Sequence, residues 1–261
     1  MQARARYYFD VAEFCNVSGR PDDTSLRQAL LRLEKKGRIA LATKRPAGWL
    51  IIPPEQMHYG APPVAWWIDD CMRPRDSHYY VGLLSAARHW GSAHYAIQST
   101  QIISSGRRST IEVGQLRVTF FPKRNHQGTP TITVRDDVAP WRVSSQAATI
   151  LDLLRHQSVV GGLEAVGRVI HDLAPSITAD DLRIALNALD QTATAQRLGF
   201  VLETLGLSSL AKTVEVWLRS RRMSEQPLEL QIGSDHTSWA VSERWRTSFI
   251  YERVKTLKEL A

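Results

Sequence analysis

The segment Asp22-Asp23-Thr24-Ser25-Leu26-Arg27-Gln28-Ala29-Leu30-Leu31-Arg32-Leu33-Glu34-Lys35-Lys36-Gly37 leaves little choice of local structure: it predicts one short helix marked at both ends. Asp22 or Asp23 can cap the N-terminus, where side-chain oxygens satisfy free backbone N–H groups. Gly37 is a ready residue for the left-handed C-terminal turn, and Lys35 and Lys36 sit where the helix dipole favours cations. Leu26, Ala29, Leu30 and Leu33 make one apolar face at i, i+3, i+4, i+7 spacing. Thr24, Arg27, Gln28, Arg32 and Lys35 fall largely off it. Such a helix fits a duplex groove, because Arg pairs bidentately with guanine, Gln with adenine, and Thr and Lys hold phosphate. An ordinary amphipathic surface helix has the same pattern, so the flanks decide.

Tyr7-Tyr8-Phe9 is a strand-type aromatic run. Asp10 with Glu13 resembles a capping box, and Val11, Phe14, Cys15 and Val17 continue as a short helix. Ser18-Gly19-Arg20-Pro21 is turn chemistry, and the second helix follows at once. After Gly37 the period changes. Arg38–Ala42 and Trp49–Ile52 read as strands around a basic turn, Lys44-Arg45-Pro46-Ala47-Gly48, and Pro53-Pro54 ends the pair. Strand, helix, turn, helix, strand, basic loop, strand is the order of a winged helix-turn-helix. A winged helix usually has a helix ahead of its first strand, and only Met1–Arg6 precede Tyr7. Either the chain starts late or a following helix covers that side. Arg4 and Arg6 could form a basic arm, against the simpler reading of a solvated tail.

At 261 residues two domains with proper cores are possible. The net charge is +7. Met1–Gly60 holds 10 Lys and Arg against 6 Asp and Glu, and the remainder 23 against 20. The excess therefore concentrates at the N-terminus, as a nucleic-acid footprint would have it. Cys15 and Cys71 sit in apolar helical contexts and read as reduced core thiols. No Cys-x-x-Cys or His-x-His cluster suggests a metal site, no signal core or membrane span appears, and a cytoplasmic protein is the default.

Gly60-Ala61-Pro62-Pro63 marks a junction, placing a DNA-binding domain over 1–58 and a larger domain over 59–261. The fold class is α+β: the larger domain holds a short-stranded sheet and helices to about residue 157 and is mostly helical thereafter. Val64–Met72 and Tyr79–Ala87 read as helices. Strands are expected over Ala96–Ser104, Thr110–Val113, Leu116–Phe121, Thr131–Val134 and Trp141–Val143, with Gly114-Gln115 as a hairpin turn. Ser144 or Ser145 caps a further helix. Others follow over Leu163–Leu173, Ala179–Leu189, Thr194–Leu205 and Ser209–Arg221. Leu228–Gln231 reads as a late strand, and Trp239 and Trp245 suggest that the tail docks on the core.

Chemistry-bearing motifs are few. Asp69-Asp70 diverge on a helix and read as a solvated or Arg-paired face. The histidines are scattered. Neither a nucleophile elbow around Ser85, a Walker loop nor a GxGxxG is present. Arg107, Arg108, Arg117, Lys123 and Arg124 form the one basic cluster of the second domain, at strand ends where cations serve as a solvated rim or hold phosphate.

Three stretches carry a family likeness. One runs from Arg6-Tyr7-Tyr8-Phe9 through Leu33-x-x-x-Gly37-Arg38-Ile39 to Ile51-Ile52-Pro53-Pro54-Glu55. Another is Gly60-Ala61-Pro62-Pro63 with Trp67-Ile68-Asp69-Asp70 and Tyr79–Ala87. The third is Arg117-Val118-Thr119-Phe120-Phe121 with Arg142-Val143-Ser144-Ser145-x-x-x-Thr149-Ile150-Leu151-Asp152-Leu153 and Gln196-Arg197-Leu198-Gly199-Phe200-x-Leu202-Glu203. Over about Arg6–Leu207 the chain resembles the AbiEi-type antitoxins of bacterial type IV toxin–antitoxin systems. The resemblance implies a transcriptional autorepressor that binds an inverted repeat upstream of its own operon and counters a nucleotidyltransferase-type toxin. It places the helix-turn-helix on Thr24–Lys36 and the wing on Lys44 and Arg45. The start before Tyr7 is shorter than the family pattern, and the last fifty residues match poorly and receive no role.

The expected roles are then base readout by Thr24, Ser25, Arg27, Gln28 and Arg32, and phosphate contacts by Lys35, Lys36, Lys44 and Arg45. Arg107, Arg108, Lys123 and Arg124 are expected on flanking phosphates. No cofactor, metal or membrane is expected. Two copies on one inverted repeat follow from symmetry alone. Two rival readings remain: a C-terminal domain that inhibits the toxin by direct contact, and an enzyme of nuclease or nucleotidyltransferase type, which the lack of a carboxylate pair with ligand spacing disfavours.

Overall fold

The computed structural model describes residues 6–94, 98–135, 138–229 and 239–260. Expectations that touched Arg4, Ala96, Leu230 and Gln231 lie outside the described residues. The fold is α+β, with three sheets and ten α-helices among the described residues. The chain packs as two units. The first takes in the described parts of Met1–Val81, Ile97–His126 and Thr133–Val143; the second takes in those of Gly82–Ala96, Gln127–Ile132 and Ser144–Ala261.

The first unit opens with β1 (Tyr8–Asp10), α1 (Val11–Ser18), α2 (Thr24–Lys35), β2 (Ile39–Lys44) and β3 (Ala47–Ile51). Asp23 caps α2, accepting from the Leu26 N–H at 2.8 Å, and Gly37 takes φ +64° beyond its end. The last helical carbonyls are closed by Gly37 N–H to Glu34 O and Arg38 N–H to Leu33 O. Asp10 caps α1 by accepting from the Glu13 N–H. The expected capping box is half formed, because Glu13 turns its carboxylate to Arg6. The strands make an antiparallel sheet in the order β1-β3-β2, and Lys44↔Ala47 is the last pair of the hairpin. The basic turn is thus tighter than expected, with only Arg45 and Pro46 beyond the ladder. Phe9, Leu26, Leu30 and Ile39 are the buried core here, with Phe14, Leu33, Trp49 and Ile51 packed around them.

A 3-10 turn at Val64–Trp66 precedes α3 (Ile68–Met72), so the helix expected over 64–72 breaks at Trp67. α3 packs on β1, the Tyr7 and Trp66 rings lie 5.0 Å apart, and Arg6 pairs with Asp70 at 3.6 Å. The open side of β1 is covered from downstream, and Arg6 is committed to carboxylates rather than to a free arm. Asp69 is 8% exposed, accepting from the Tyr79 hydroxyl and pairing with Arg73.

The run from Tyr79 to Ala87 is not one helix. Tyr80–Val81 forms β4, in the middle of a sheet, and a helix starts only at Leu83. An apolar run with no period fits a doubly covered strand as well as a buried helix, and pairing partners decide between them. The sheet continues with β5 (Thr100–Ser104), β6 (Ile111–Val113), β7 (Leu116–Pro122), β8 (Thr131–Arg135) and β9 (Pro140–Ser144) in the order β6-β7-β5-β4-β9-β8. β6 and β7 form the expected hairpin across Gly114-Gln115. β5 runs parallel to β7 and antiparallel to β4.

The second unit holds α4 (Leu83–His89), α5 (Gln146–Arg155), α6 (Gly162–Leu173), α7 (Ala179–Leu189), α8 (Thr192–Thr204) and α9 (Ser208–Leu218). Then come β10 (Gln226–Pro227), β11 (Trp239–Ser242), β12 (Thr247–Ile250) and α10 (Tyr251–Lys258). Ser145 is the cap of α5, while Ser144 is fully buried against Thr149. Everything from Thr194 to Leu202 on α8 is buried, its polar residues included. Those residues serve the chain end. Gln196 donates to the carbonyls of Ser224 and Trp245, both at 2.8 Å, and Arg197 donates to Pro227 O. Trp245 is fully buried, lies against Gly199, and donates its indole N–H to Glu203. The described part of the tail therefore docks on α8, through Ser224, Pro227 and Trp245.

Truncation of Trp245 to alanine should cost about 3–5 kcal/mol, the range for emptying a large buried aromatic site. Gly199→Ala should also destabilise, because its Cβ would stand 2.1 Å from the Trp245 ring. Urea unfolding of each variant beside the wild type measures both; an unchanged midpoint for Trp245→Ala would refute the docking role.

Candidate nucleic-acid interface

α2 buries Leu26 and Leu30 and leaves Thr24, Ser25, Arg27, Gln28, Leu31, Arg32 and Lys35 exposed. Every residue expected to read bases is on this outward surface. Leu31, 56% exposed in its midst, was not anticipated; its place one turn on from Gln28 was readable from the period. Arg27 reaches Asp22 at 3.6 Å, but both side chains are more than half exposed, so the pair is weak and easily exchanged. Lys36 follows the helix end and is exposed, as are Lys44 and Arg45 at the hairpin tip.

That tip is held by a chain of polar contacts. Arg75 Nη2 donates to the Tyr8 hydroxyl oxygen at 2.8 Å. Thr43 Oγ1 donates to Pro46 O at 2.8 Å and lies 3.3 Å from the Tyr8 hydroxyl, which is left to donate to it. Burial pushes the Tyr8 phenol above its usual pKa, so it remains a neutral donor and acceptor. Arg75 also bonds the Cys71 carbonyl, at the end of α3, and its own carbonyl accepts from Arg108. Arg75 thus ties β1 and the hairpin turn through its guanidinium, and the loop that carries Arg107 and Arg108 through its backbone carbonyl.

The same loop is anchored by a buried pair that the sequence did not reveal. Asp76 Oδ1 accepts from His126 Nε2 at 2.9 Å and from the His78 N–H, and Oδ2 accepts from the Ser105 N–H at 2.7 Å. Both side chains are almost wholly enclosed. Burial by itself raises the Asp76 pKa, but these three donors outweigh it and leave the carboxyl below its ordinary value. His126 lies fifty residues from its partner, and nothing local marks it.

Together these contacts frame a cleft of about 760 Å³ whose lining includes Lys44, Arg45, Arg75, Arg107 and Arg108. The structure thus brings the two hairpin cations and two of the four strand-end cations to one opening. The others separate. Arg124 is exposed and away from that lining. Lys123 is 3% exposed, and its Nζ donates to the Tyr80 hydroxyl, so it is a core residue rather than a rim cation. A lysine just past a strand end looks solvent-facing in sequence, but this one turns inward, its backbone N–H held by Ser104 O. Cys71 lines the cleft, buried, and burial pushes its thiol up to about 11, so it stays protonated and is a poor nucleophile.

Comparison with known proteins adds a match to one domain family. Residues 80–204 match the model of the AbiEi antitoxin C-terminal domain. Over that stretch the chain is similar to the AbiEi-type antitoxins. The match supports an antitoxin role here. Among solved structures, the chain is similar to the crystal structure of the RV2827C protein from Mycobacterium tuberculosis, with a TM-score of 0.62 and 14% identity. The alignment covers 97% of this chain and 89% of that one, and at this identity it speaks for the fold alone. No curated protein matches the sequence. Among the described residues no helix is long and apolar enough to cross a membrane, and no three His, Cys, Asp or Glu residues gather as a metal site.

The Asp76 pair predicts an acid limb. A carboxyl more acidic folded than unfolded stabilises the fold above its unfolded pKa, and that contribution is lost as pH falls through the folded value, below about 4. Asp76→Asn should flatten that limb of the urea-midpoint profile between pH 7 and 3; a limb of the same depth would remove Asp76 from the account. Alkylation with iodoacetamide at pH 8, read by mass spectrometry, should label half-buried Cys15 well before Cys71 in the native protein. Equal rates would contradict the raised thiol.

Proposed function

We propose that this chain is an AbiEi-type antitoxin and a DNA-binding autorepressor of its own toxin–antitoxin operon, acting through an N-terminal winged helix-turn-helix over residues 1–58. In this reading α2 is the recognition helix and the β2–β3 turn is the wing. The observation that carries it is the outward surface of α2: Thr24, Ser25, Arg27, Gln28 and Arg32 are all exposed beside the cationic turn Lys44-Arg45. Arg27 and Gln28 supply the bidentate fork and amide that suit guanine and adenine edges. Leu31 suits a thymine methyl group. Lys35, Lys36, Lys44, Arg45 and Arg124 hold backbone phosphates, which fix register without reading sequence. Residues 59–261 form the antitoxin region that counters a nucleotidyltransferase-type toxin, and two copies share one inverted repeat.

The test is binding to a duplex from the chain's own upstream region against a scrambled duplex, over a series of salt concentrations. Selective binding with a linear log–log salt dependence is expected. Arg27→Ala should cost about 1–3 kcal/mol on the preferred duplex and little on the scrambled one. Lys44→Ala with Arg45→Ala should weaken both duplexes alike and flatten the salt slope by about two. Equal, weak binding to both duplexes by the wild type would overturn the repressor reading and leave direct toxin contact by the C-terminal region as the antitoxin mechanism.

A further inference from the structure

The cleft beside the hairpin turn has a composition that duplex binding does not explain. Lys44, Arg45, Arg107 and Arg108 have no carboxylate partner among the described residues. The one acid in the lining, Glu112, is held by Arg117. Arg108 contributes a buried Nε without a hydrogen-bond partner among the described residues. An unsatisfied guanidinium nitrogen inside a cationic cleft is costly unless an anion completes it. Thr43, Ser109 and Thr110 add hydroxyls, and Leu41, Met72, Ile111 and the Phe120 ring make the apolar part of the wall.

Depth separates this cleft from a duplex surface. Cys71 and Met72 are each 1% exposed, and Ile111 is 5% exposed, so the lining runs well below the surface. A duplex backbone is stiff and convex and reaches only the rim. The volume, about 760 Å³, lies in the range of small-ligand sites. Cations at the mouth and an aromatic with aliphatic neighbours behind them suit a ligand that is polyanionic at one end and flat and apolar at the other.

We propose that the cleft binds a nucleoside polyphosphate, its phosphates on Lys44, Arg45, Arg107 and Arg108 and its base against Phe120 and Met72. An occupant there engages the hairpin-tip cations and so loosens the protein's hold on DNA. This second half rests on the duplex-binding reading above; the first half does not.

Calorimetric titration of the full chain, without DNA, with ATP, GTP, inorganic tripolyphosphate and adenosine tests the site. ATP or GTP should bind, tripolyphosphate about tenfold more weakly, and adenosine not at all. Arg108→Ala and Arg107→Ala should each weaken the nucleotide about tenfold, as loss of a charge-assisted contact does. Phe120→Leu should weaken the nucleotide and leave tripolyphosphate unchanged. No heat with either nucleotide, tripolyphosphate as tight as the nucleotides, or an unaltered Arg108→Ala titration would each overturn the site. A separate arm adds saturating nucleotide to the protein–duplex complex at fixed ionic strength. A fivefold or larger loss of duplex affinity is expected, and unchanged affinity would overturn the regulatory half. Because the calorimetry contains no DNA, failure of selective duplex binding would leave its result standing.

Discussion

Arg75 is the contact on which the first unit depends. Its guanidinium joins the Tyr8 hydroxyl on β1, the Cys71 carbonyl at the end of α3, and, through Tyr8, the Thr43 hydroxyl that closes the hairpin turn. The Tyr8 and Thr43 hydroxyls each accept and donate along this chain, and half-buried hydrogen bonds in series polarise one another. Placing Lys44 and Arg45 is therefore not left to a free loop. The turn is pinned from inside by Thr43 to Pro46 O, and the two cations project from a rigid base. The rigidity matters because a phosphate contact fixes register only if its cation is already placed.

In the second unit the corresponding role falls to α8, and there the residues that suggested the family acquire a physical meaning. Gln196 and Arg197 face carbonyls of the chain end, Gly199 makes room for the Trp245 ring, and Glu203 accepts its indole N–H. A glutamine and an arginine in the middle of an otherwise apolar helix read as an anomaly when the helix is considered alone. They are explained by backbone groups that arrive some thirty to fifty residues later. Burial lowers the pKa of Arg197, which still donates to Pro227 O. An arginine so placed holds backbone and is closed to a ligand.

Legibility in the sequence followed the range of the interactions. α2 was readable because its cap, its period and its terminal glycine all lie within one short segment, and α7 was readable to the residue because its capping box and period are equally local. Tyr79–Ala87 was misread because an unbroken apolar run has no period, and only the β5 and β9 neighbours turn Tyr80–Val81 into a strand. The candidate site divides in the same way. Residues that owe their exposure to α2 were found from the pattern. Arg75, Asp76 and His126 were missed because their partners are dozens of residues away, and Lys123 was misassigned for the same reason, its buried partner Tyr80 lying 43 residues upstream.

The modest charge excess of the N-terminal segment understates the field it presents. Of its six acids, Asp10 and Asp23 cap helices, Glu13 is bound to Arg6, and Asp22 is bound to Arg27. These carboxylates are consumed by local structure on the side of β1 and the start of α2, while the cations at the other end of α2 and at the hairpin tip have no such partners among the described residues. Four of the six acids are thereby engaged locally, Glu34 stays among the cations at the end of α2, and the hairpin tip presents an exposed cationic face. The cations on that face are exposed, so their reach is about a Debye length, roughly 8–10 Å at physiological salt. Attraction at that range can hold a phosphate only where the surface brings it close. That requirement ties the electrostatics of this face to the rigidity that Arg75 gives its turn.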